Sequence, residues 1–264
     1  MPVTIQDLSA HKARGERFAM LTAYDYYSAR ILDEAGIPVL LVGDSLGMVM
    51  LGYDTTLPVS MEECLHHTRA VARGTRRALV VGDMPFGSYQ AGSDLAVANA
   101  AALLKAGANA VKLEGGLQVV DLIARMVSYG IPVMGHLGLT PQSVNAFGGY
   151  KVQGRGKHAA QIILEAAQAL QEAGAFSIVL EAIPPDLAAK VTASASIPTI
   201  GIGAGPSCDA QVLVFHDFLG ISSGQLPRFV KRYANLDEVI ATAAKDFARD
   251  VGEGTYPGPE HTYA

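Results

Sequence analysis

Leu40-Leu41-Val42-Gly43-Asp44-Ser45 is an apolar run that ends in a glycine and then a carboxylate. The same phrase returns at Leu79-Val80-Val81-Gly82-Asp83. An apolar run of this length, bounded by turn residues, reads as a buried strand. An acid placed where such a strand ends has left the core and faces whatever lies above the sheet. Two such acids, on two strands of one repeating pattern, point to a shared site.

The repeat extends along the chain. Strands are expected at 18–22, 38–44, 78–83, 110–114, 132–136, 177–181, 198–202 and about 212–215. Helices are expected over 28–35, 61–73, 94–106, 118–128, 158–173, 186–194 and 237–250, with a short leading helix within 1–16. Ser60-x-x-Glu63 is a capping-box pattern that opens the helix from 61. Strands alternating with helical patterns imply parallel pairing, because parallel strands need crossovers. Eight in one unbroken series predict an α/β fold, a (β/α)8 TIM barrel. An open doubly wound sheet is the alternative, but its dinucleotide fingerprint is missing. The run from Gly201 reads G-I-G-A-G-P, with Pro206 where a third glycine belongs. No linker divides the chain, so one domain over 1–264 is expected, with a short N-terminal helix and a Gly/Pro-rich C-terminal tail.

Composition narrows the function. Half of the 264 residues are hydrophobic and 17% are charged, which suits a large core. A net charge of -5 without a basic stripe gives nucleic-acid binding no electrostatic support. Cys64 and Cys208 stand far apart with no CxxC partner, which argues against a disulfide scaffold or a zinc-thiolate site. Charges of both signs precede any apolar run at the N-terminus, unlike a secretory signal. No apolar stretch approaches the ~18 residues of a membrane span. The expectation is a cytoplasmic protein with no membrane partner.

In a barrel, catalytic groups belong at the C-terminal strand ends. The groups there are Asp44 and Ser45, Asp83, Lys112 and Glu114, His136, and Glu181. Lys112 and Glu114 are two apart and point to one side of their strand. Asp44, Asp83 and Glu114 form an oxygen-only set of the kind Mg²⁺ prefers, and a divalent ion relieves their mutual repulsion. An Asp after a strand also serves as a helix cap or turn former. Lys112 beside Glu114 is either a structural ion pair or a cation for a developing enolate oxygen. His136 is either a base or a core histidine. Glu181 reads as a lone acid across the ring, and in a dry pocket its raised pKa would suit a general base or acid. The adjacent His66 and His67 lie about 100° apart on a helix and form no metal pair. Gly201–Gly205 either cradles a phosphate or serves tight packing. The loop over 138–157 is long enough to be a lid, and the apolar residues Met48, Val49 and Met50 would hide beneath it or in an interface.

Several segments together resemble one family. They are Thr22-Ala-Tyr-Asp25, Val42-Gly-Asp-Ser-Leu-Gly47, His136-Leu-Gly-Leu-Thr-Pro-Gln-Ser-Val-Asn145, Phe147-Gly-Gly-Tyr-Lys-Val-Gln-Gly-Arg155, Gly201-Ile-Gly-Ala-Gly205 and Tyr256-Pro-Gly258. The chain resembles the ketopantoate hydroxymethyltransferases over nearly its whole length. The resemblance implies a (β/α)8 barrel, one Mg²⁺ per subunit, 5,10-methylenetetrahydrofolate as one-carbon donor and 3-methyl-2-oxobutanoate as acceptor. It further implies a cytoplasmic homodecamer. By similarity, Asp44, Asp83 and Glu114 serve the metal, while Asp44, Ser45, Asp83 and Lys112 contact the keto acid. Glu181 is the proton acceptor, with His136 as its rival. One departure is Asp209-Ala210-Gln211, where Asp-Gly-Gln is expected. The other readings are a Mg²⁺-dependent keto-acid lyase or mutase of the phosphoenolpyruvate mutase and isocitrate lyase kind, and a non-catalytic phosphate- or cofactor-binding barrel. The lyases would be expected to carry a catalytic cysteine loop, and neither Cys64 nor Cys208 sits in one.

Overall fold

In a computed structural model of the chain, which describes residues 1–221 and 226–263, Val39–Val42 is a strand with all four residues buried. Its echo, Leu79–Asp83, lies beside it in parallel, with Val39 opposite Leu79 and Val42 opposite Gly82. In chain order the strands are β1 (Phe18–Thr22), β2 (Val39–Val42), β3 (Leu79–Asp83), β4 (Ala110–Lys112), β5 (Val133–Gly138), β6 (Ser177–Glu181), β7 (Thr199–Ile202) and β8 (Ala210–Leu213). Each pairs in parallel with the next, and β8 returns to β1, so the sheet closes into a barrel. Closure disposes of the doubly wound alternative, which would leave two sheet edges.

Two strands end earlier than their apolar runs suggest, for one reason. The Asp44 N–H leaves the ladder to donate to Asp83 Oδ2 at 3.1 Å. The Glu114 N–H likewise donates to the Tyr89 hydroxyl at 3.2 Å. Side chains take over the backbone hydrogen bonding where the site begins. β8 starts at Ala210 because Ala210 and Gln211 find partners in both β7 and β1. The helices fall within a few residues of the expected spans, and the one over 61–74 opens with the Ser60/Glu63 capping box. Short helices at Leu46–Val49 and Val144–Phe147 sit within segments that read as loops.

The barrel interior is filled by Met20, Val39, Leu41, Leu79, Val81, Ala110, Met134, Val179, Ile200, Ala210 and Val212. The Asp209-Ala210-Gln211 departure is thus accommodated: Ala210 is a packed interior residue at 1% exposure. The leading helix, Ile5–Ala13, contributes Leu8 to the same core. It is tied down by Lys12, whose ammonium donates to Asp209 Oδ2 at 2.8 Å and to the Thr192 carbonyl at 3.0 Å. Stepping two residues along a strand keeps the same face. The apolar layer therefore continues upward into a polar one: Val81 to Asp83, Ala110 to Lys112, Met134 to His136, Val179 to Glu181.

By its contacts the chain groups into two compact units, Met1–Val214 and Phe215–Ala264. The first holds the whole barrel. The second holds a short helix, Phe215–Leu219, and a long one, Leu236–Gly252, whose Val239, Ile240, Phe247 and Val251 are exposed. Among the described residues, no helix is long and apolar enough to cross a membrane.

Candidate active site

The strand-end groups form one connected, buried network. Lys112 is its central cation, donating to Asp83 Oδ1 at 2.7 Å and Oδ2 at 2.8 Å, with Glu114 Oε1 3.8 Å away. Asp83 and Lys112 stand directly opposite each other in the β3–β4 register, which makes this two-pronged contact possible. Burial alone would lower the Lys112 pKa; the surrounding Asp83, Glu114 and Asp44 carboxylates reverse that and hold it charged. Burial raises the Asp83 carboxyl and Lys112 opposes this. With an ammonium against both oxygens, the ionised form is the one that fits.

Asp44 is driven further in the same upward direction. Burial first, then the charges of Asp83 and Glu114, push its carboxyl well above the usual range. Gln142 Nε2 donates to Asp44 Oδ2 at 2.9 Å, and Oδ1 receives no hydrogen bond from the described residues. Glu114 takes the backbone N–H of Gln142 on Oε2 at 3.0 Å. Burial would raise the Glu114 carboxyl, but His136, Lys112 and that N–H together hold it below the usual range.

His136 lies between two carboxylates, with Nδ1 3.4 Å from Glu114 Oε1 and Nε2 3.2 Å from Glu181 Oε2. These are charge pairs rather than well-aligned hydrogen bonds: neither ring nitrogen reaches hydrogen-bond geometry. Burial would lower the His136 pKa, and the Glu114 and Glu181 pairing outweighs it, raising it to about 9. Glu181 is therefore not the lone acid in a dry pocket that its place in the sequence suggests. It is paired to His136, and its side chain keeps 17% exposure against 3% for His136. The residue after it, Ala182, has φ +46°, a left-handed conformation disfavoured for alanine. Bonds from Ala182 N to the Ile202 carbonyl and from Gln153 N to the Ala182 carbonyl, both 2.9 Å, hold this turn.

The raised His136 pKa has a measurable consequence. A histidine whose folded pKa exceeds its ordinary 6.5 stabilises the fold in full below that value, and the contribution is lost as pH rises through about 9. The metal-free protein should lose up to about 3 kcal/mol of stability across that window. Denaturant melts at pH 6 and pH 9.5 should show the loss, and His136→Gln should abolish most of the difference. An unchanged slope in the variant would place the titration elsewhere.

Ser45 begins the short helix after β2, and its Oγ lies 2.8 Å from the Tyr24 hydroxyl. The loop after β5 carries Tyr150, whose hydroxyl donates to Met48 Sδ at 3.7 Å. Burial, then the charges of Glu181, Asp44 and Glu114, raise the Tyr150 phenol, which places it beside the site. Met48 and Met50 each keep 40% exposure, so the loop contact covers them only in part.

Sequence reading missed two residues. Gln142 and Tyr89 are both buried and join the carboxylates to one another. Gln142 lies inside the His136–Asn145 run, but nothing in its spacing marks it as a partner of Asp44, 98 positions away.

Other candidates resolve into packing. His67 Nδ1 contacts the Tyr24 carbonyl at 2.6 Å. A Cβ on Gly201 would lie 2.9 Å from Cys208 Sγ, and one on Gly205, where φ is +80°, 2.8 Å from Pro185. Those glycines serve close approach. Cys64 and Cys208 are buried and free, and burial raises the Cys64 thiol, which keeps it from acting as a thiolate.

The donor chemistry suits Mg²⁺. Four carboxyls, from Asp44, Asp83, Glu114 and Glu181, share the site with two cationic partners, Lys112 and His136, and the buried Asp44 carboxyl keeps one oxygen without a hydrogen bond from the described residues. Among the described residues, no three His, Cys, Asp or Glu side chains converge into a ready metal cage. Lys112 takes both Asp83 oxygens and Gln142 takes Glu114 Oε2. This fits an ion held directly by one or two carboxylates, with water and substrate oxygens completing the shell.

The family model for ketopantoate hydroxymethyltransferase matches residues 2–259. The chain belongs to that family. It is 57% identical to the 3-methyl-2-oxobutanoate hydroxymethyltransferase of Carboxydothermus hydrogenoformans, over 99% of this chain and 95% of the relative. It is 58% identical to the protein of the same name from Streptomyces avermitilis, over 98% of this chain and 91% of the relative. Among solved structures it is similar to phosphonopyruvate hydrolase in complex with oxalate and Mg²⁺, with TM-score 0.62, 17% identity, and 98% and 93% of the two chains covered. It is also similar to 2,3-dimethylmalate lyase, a member of the PEP mutase/isocitrate lyase superfamily, with TM-score 0.60, 15% identity, and 98% and 93% covered. At such identities these two likenesses speak for the barrel alone.

Proposed function

We propose that the protein transfers a hydroxymethyl group from 5,10-methylenetetrahydrofolate to 3-methyl-2-oxobutanoate, giving 2-dehydropantoate for pantothenate synthesis. One observation carries the reading. A partly exposed carboxylate, Glu181, adjoins a cationic His136 at the rim of a buried network of Asp44, Asp83, Lys112 and Glu114. That pairs a base with a charge-stabilising site, which is what removal of a proton next to a ketone requires.

Lys112 and Ser45 would bind the keto acid's oxygens, with Asp83 orienting Lys112 and Asp44 at the same edge. Mg²⁺, held by Asp44 and Asp83 with Glu114 behind them, would supply Lewis-acid polarisation of the 2-oxo group and lower the barrier to enolisation. Glu181 takes the C3 proton. His136 is the weaker candidate for that duty, since a cation between two carboxylates has no free lone pair at neutral pH. The enolate carbon then forms a bond to the methylene carbon of the folate. Both C–N bonds of the donor's methylene carbon break, one replaced by the new C–C bond and the other by the hydroxyl that water supplies, and tetrahydrofolate leaves with a proton on each freed nitrogen. Tyr150 and Met48 lie where a lid over this step would act. A cytoplasmic homodecamer is part of the same proposal, checked by light scattering of the purified protein.

The decisive test is isotope exchange without the folate. With Mg²⁺ present, the protein should speed deuterium incorporation at C3 of 3-methyl-2-oxobutanoate, followed by proton NMR. Exchange no faster than in buffer would overturn the enolising mechanism.

A further inference from the structure

We infer that Gln142 is a positioning residue that sets the geometry of the two carboxylates Asp44 and Glu114, and that Tyr89 fixes the orientation in which it does so. The inference rests on the reading of the site as one that takes a divalent cation.

Gln142 is 5% exposed and every polar atom of its side chain is engaged. Nε2 donates to Asp44 Oδ2 at 2.9 Å and to the Met84 carbonyl at 3.0 Å. Oε1 accepts from the Tyr89 hydroxyl at 2.7 Å. The backbone N–H donates to Glu114 Oε2 at 3.0 Å. One residue thus grips an acid from the end of β2 and another from the end of β4.

The amide cannot turn over. Met84 presents a carbonyl, which only accepts, so the NH₂ end must face it. Turning the amide would put its oxygen against both that carbonyl and the Asp44 carboxylate. At the other end, the Tyr89 hydroxyl accepts from the Glu114 N–H at 3.2 Å, and of the two acceptors within reach of its one proton, Gln142 Oε1 at 2.7 Å is nearer than the Glu114 carbonyl at 3.1 Å. The amide is locked as a donor toward Asp44. It holds Oδ2, while Oδ1 takes no hydrogen bond from the described residues. Without that grip, Asp44 would rotate away from the Asp83 and Glu114 charges. Groups that orient metal-binding carboxylates in this way typically affect metal affinity or activity by about 10–100-fold.

The test uses the full-length protein and Mn²⁺ as the probe, with free ion counted by electron paramagnetic resonance. Gln142→Met keeps the length of the side chain and removes the amide that holds Asp44, while the backbone N–H on Glu114 remains. It should weaken Mn²⁺ binding by about 10–100-fold. Tyr89→Phe should weaken it in the same direction by less, because the amide stays in place and loses only the hydroxyl that fixes its orientation. A merely structural role would lower the melting temperature and leave the affinity of the folded protein unmoved. Wild-type affinity in both variants overturns the inference while the cation site stands. If the wild-type protein itself binds no Mn²⁺, the reading of the site falls and takes the inference with it. Should Gln142→Met fail to fold, Tyr89→Phe decides alone, since it leaves the amide in place.

Discussion

Glu181→Gln should lower turnover by ~10²–10⁴-fold, the range expected for loss of a general base. Glutamine has nearly the shape of glutamate, and its Oε1 can still accept from His136. What it loses is the charge and the basic lone pair. Glu181 touches His136 and stands apart from the Lys112–Asp83 pair. The variant should therefore keep its affinity for the keto acid and the cation, measured by calorimetry. Isotope exchange at C3 should fall in parallel with turnover, since both need the same proton removed. Exchange at the wild-type rate would move the base to another group, and His136→Gln is then the comparison to make.

Lys112→Met has the second large effect, and it falls on stability. The ammonium is 5% exposed and lies against both oxygens of Asp83. Removing it strands a buried carboxylate beside Asp44 and Glu114. Breaking a buried pair by deleting one partner costs about 3–5 kcal/mol. In a chain of this size that lowers the melting temperature by roughly 6–20 °C, at about 2–4 °C per kcal/mol. The double change Lys112→Met with Asp83→Asn should be less destabilising than Lys112→Met alone, because no unpaired charge remains. Equal losses would mean that Lys112 acts by packing rather than charge. Mg²⁺ should restore part of the lost stability in the single variant, since a cation that binds only the folded form stabilises it.

The fold was legible in the chain because its signal is periodic and local. Eight apolar runs, each followed by a helical pattern, leave few parallel arrangements, and the observed strands lie within two residues of the expected runs at nearly every end. The site was legible for a related reason. In a barrel the C-terminal strand ends meet in one place, so Asp44, Asp83, Lys112, Glu114, His136 and Glu181 could be grouped before any distance was known. The errors lie where partners are distant in sequence. Glu181 read as solitary because nothing local links it to His136, 45 positions earlier; the link is the β5–β6 register, which sets His136 opposite Val179 and Gly138 opposite Glu181.

By itself, then, the sequence determined which residue types stand at the mouth of the barrel, because hydrophobic burial sets the strands and a two-residue step sets their faces. The tertiary structure alone decided how those groups are paired. Lys112 chose Asp83 over its near neighbour Glu114, because adjacent strands bring Asp83 and Lys112 level. His136 became a cation because two carboxylates from neighbouring strands reach it together. Gln142 acquired its place only when a loop folded back over Asp44. Charge and hydrogen bonding act over a few ångströms, and chain order does not record those distances.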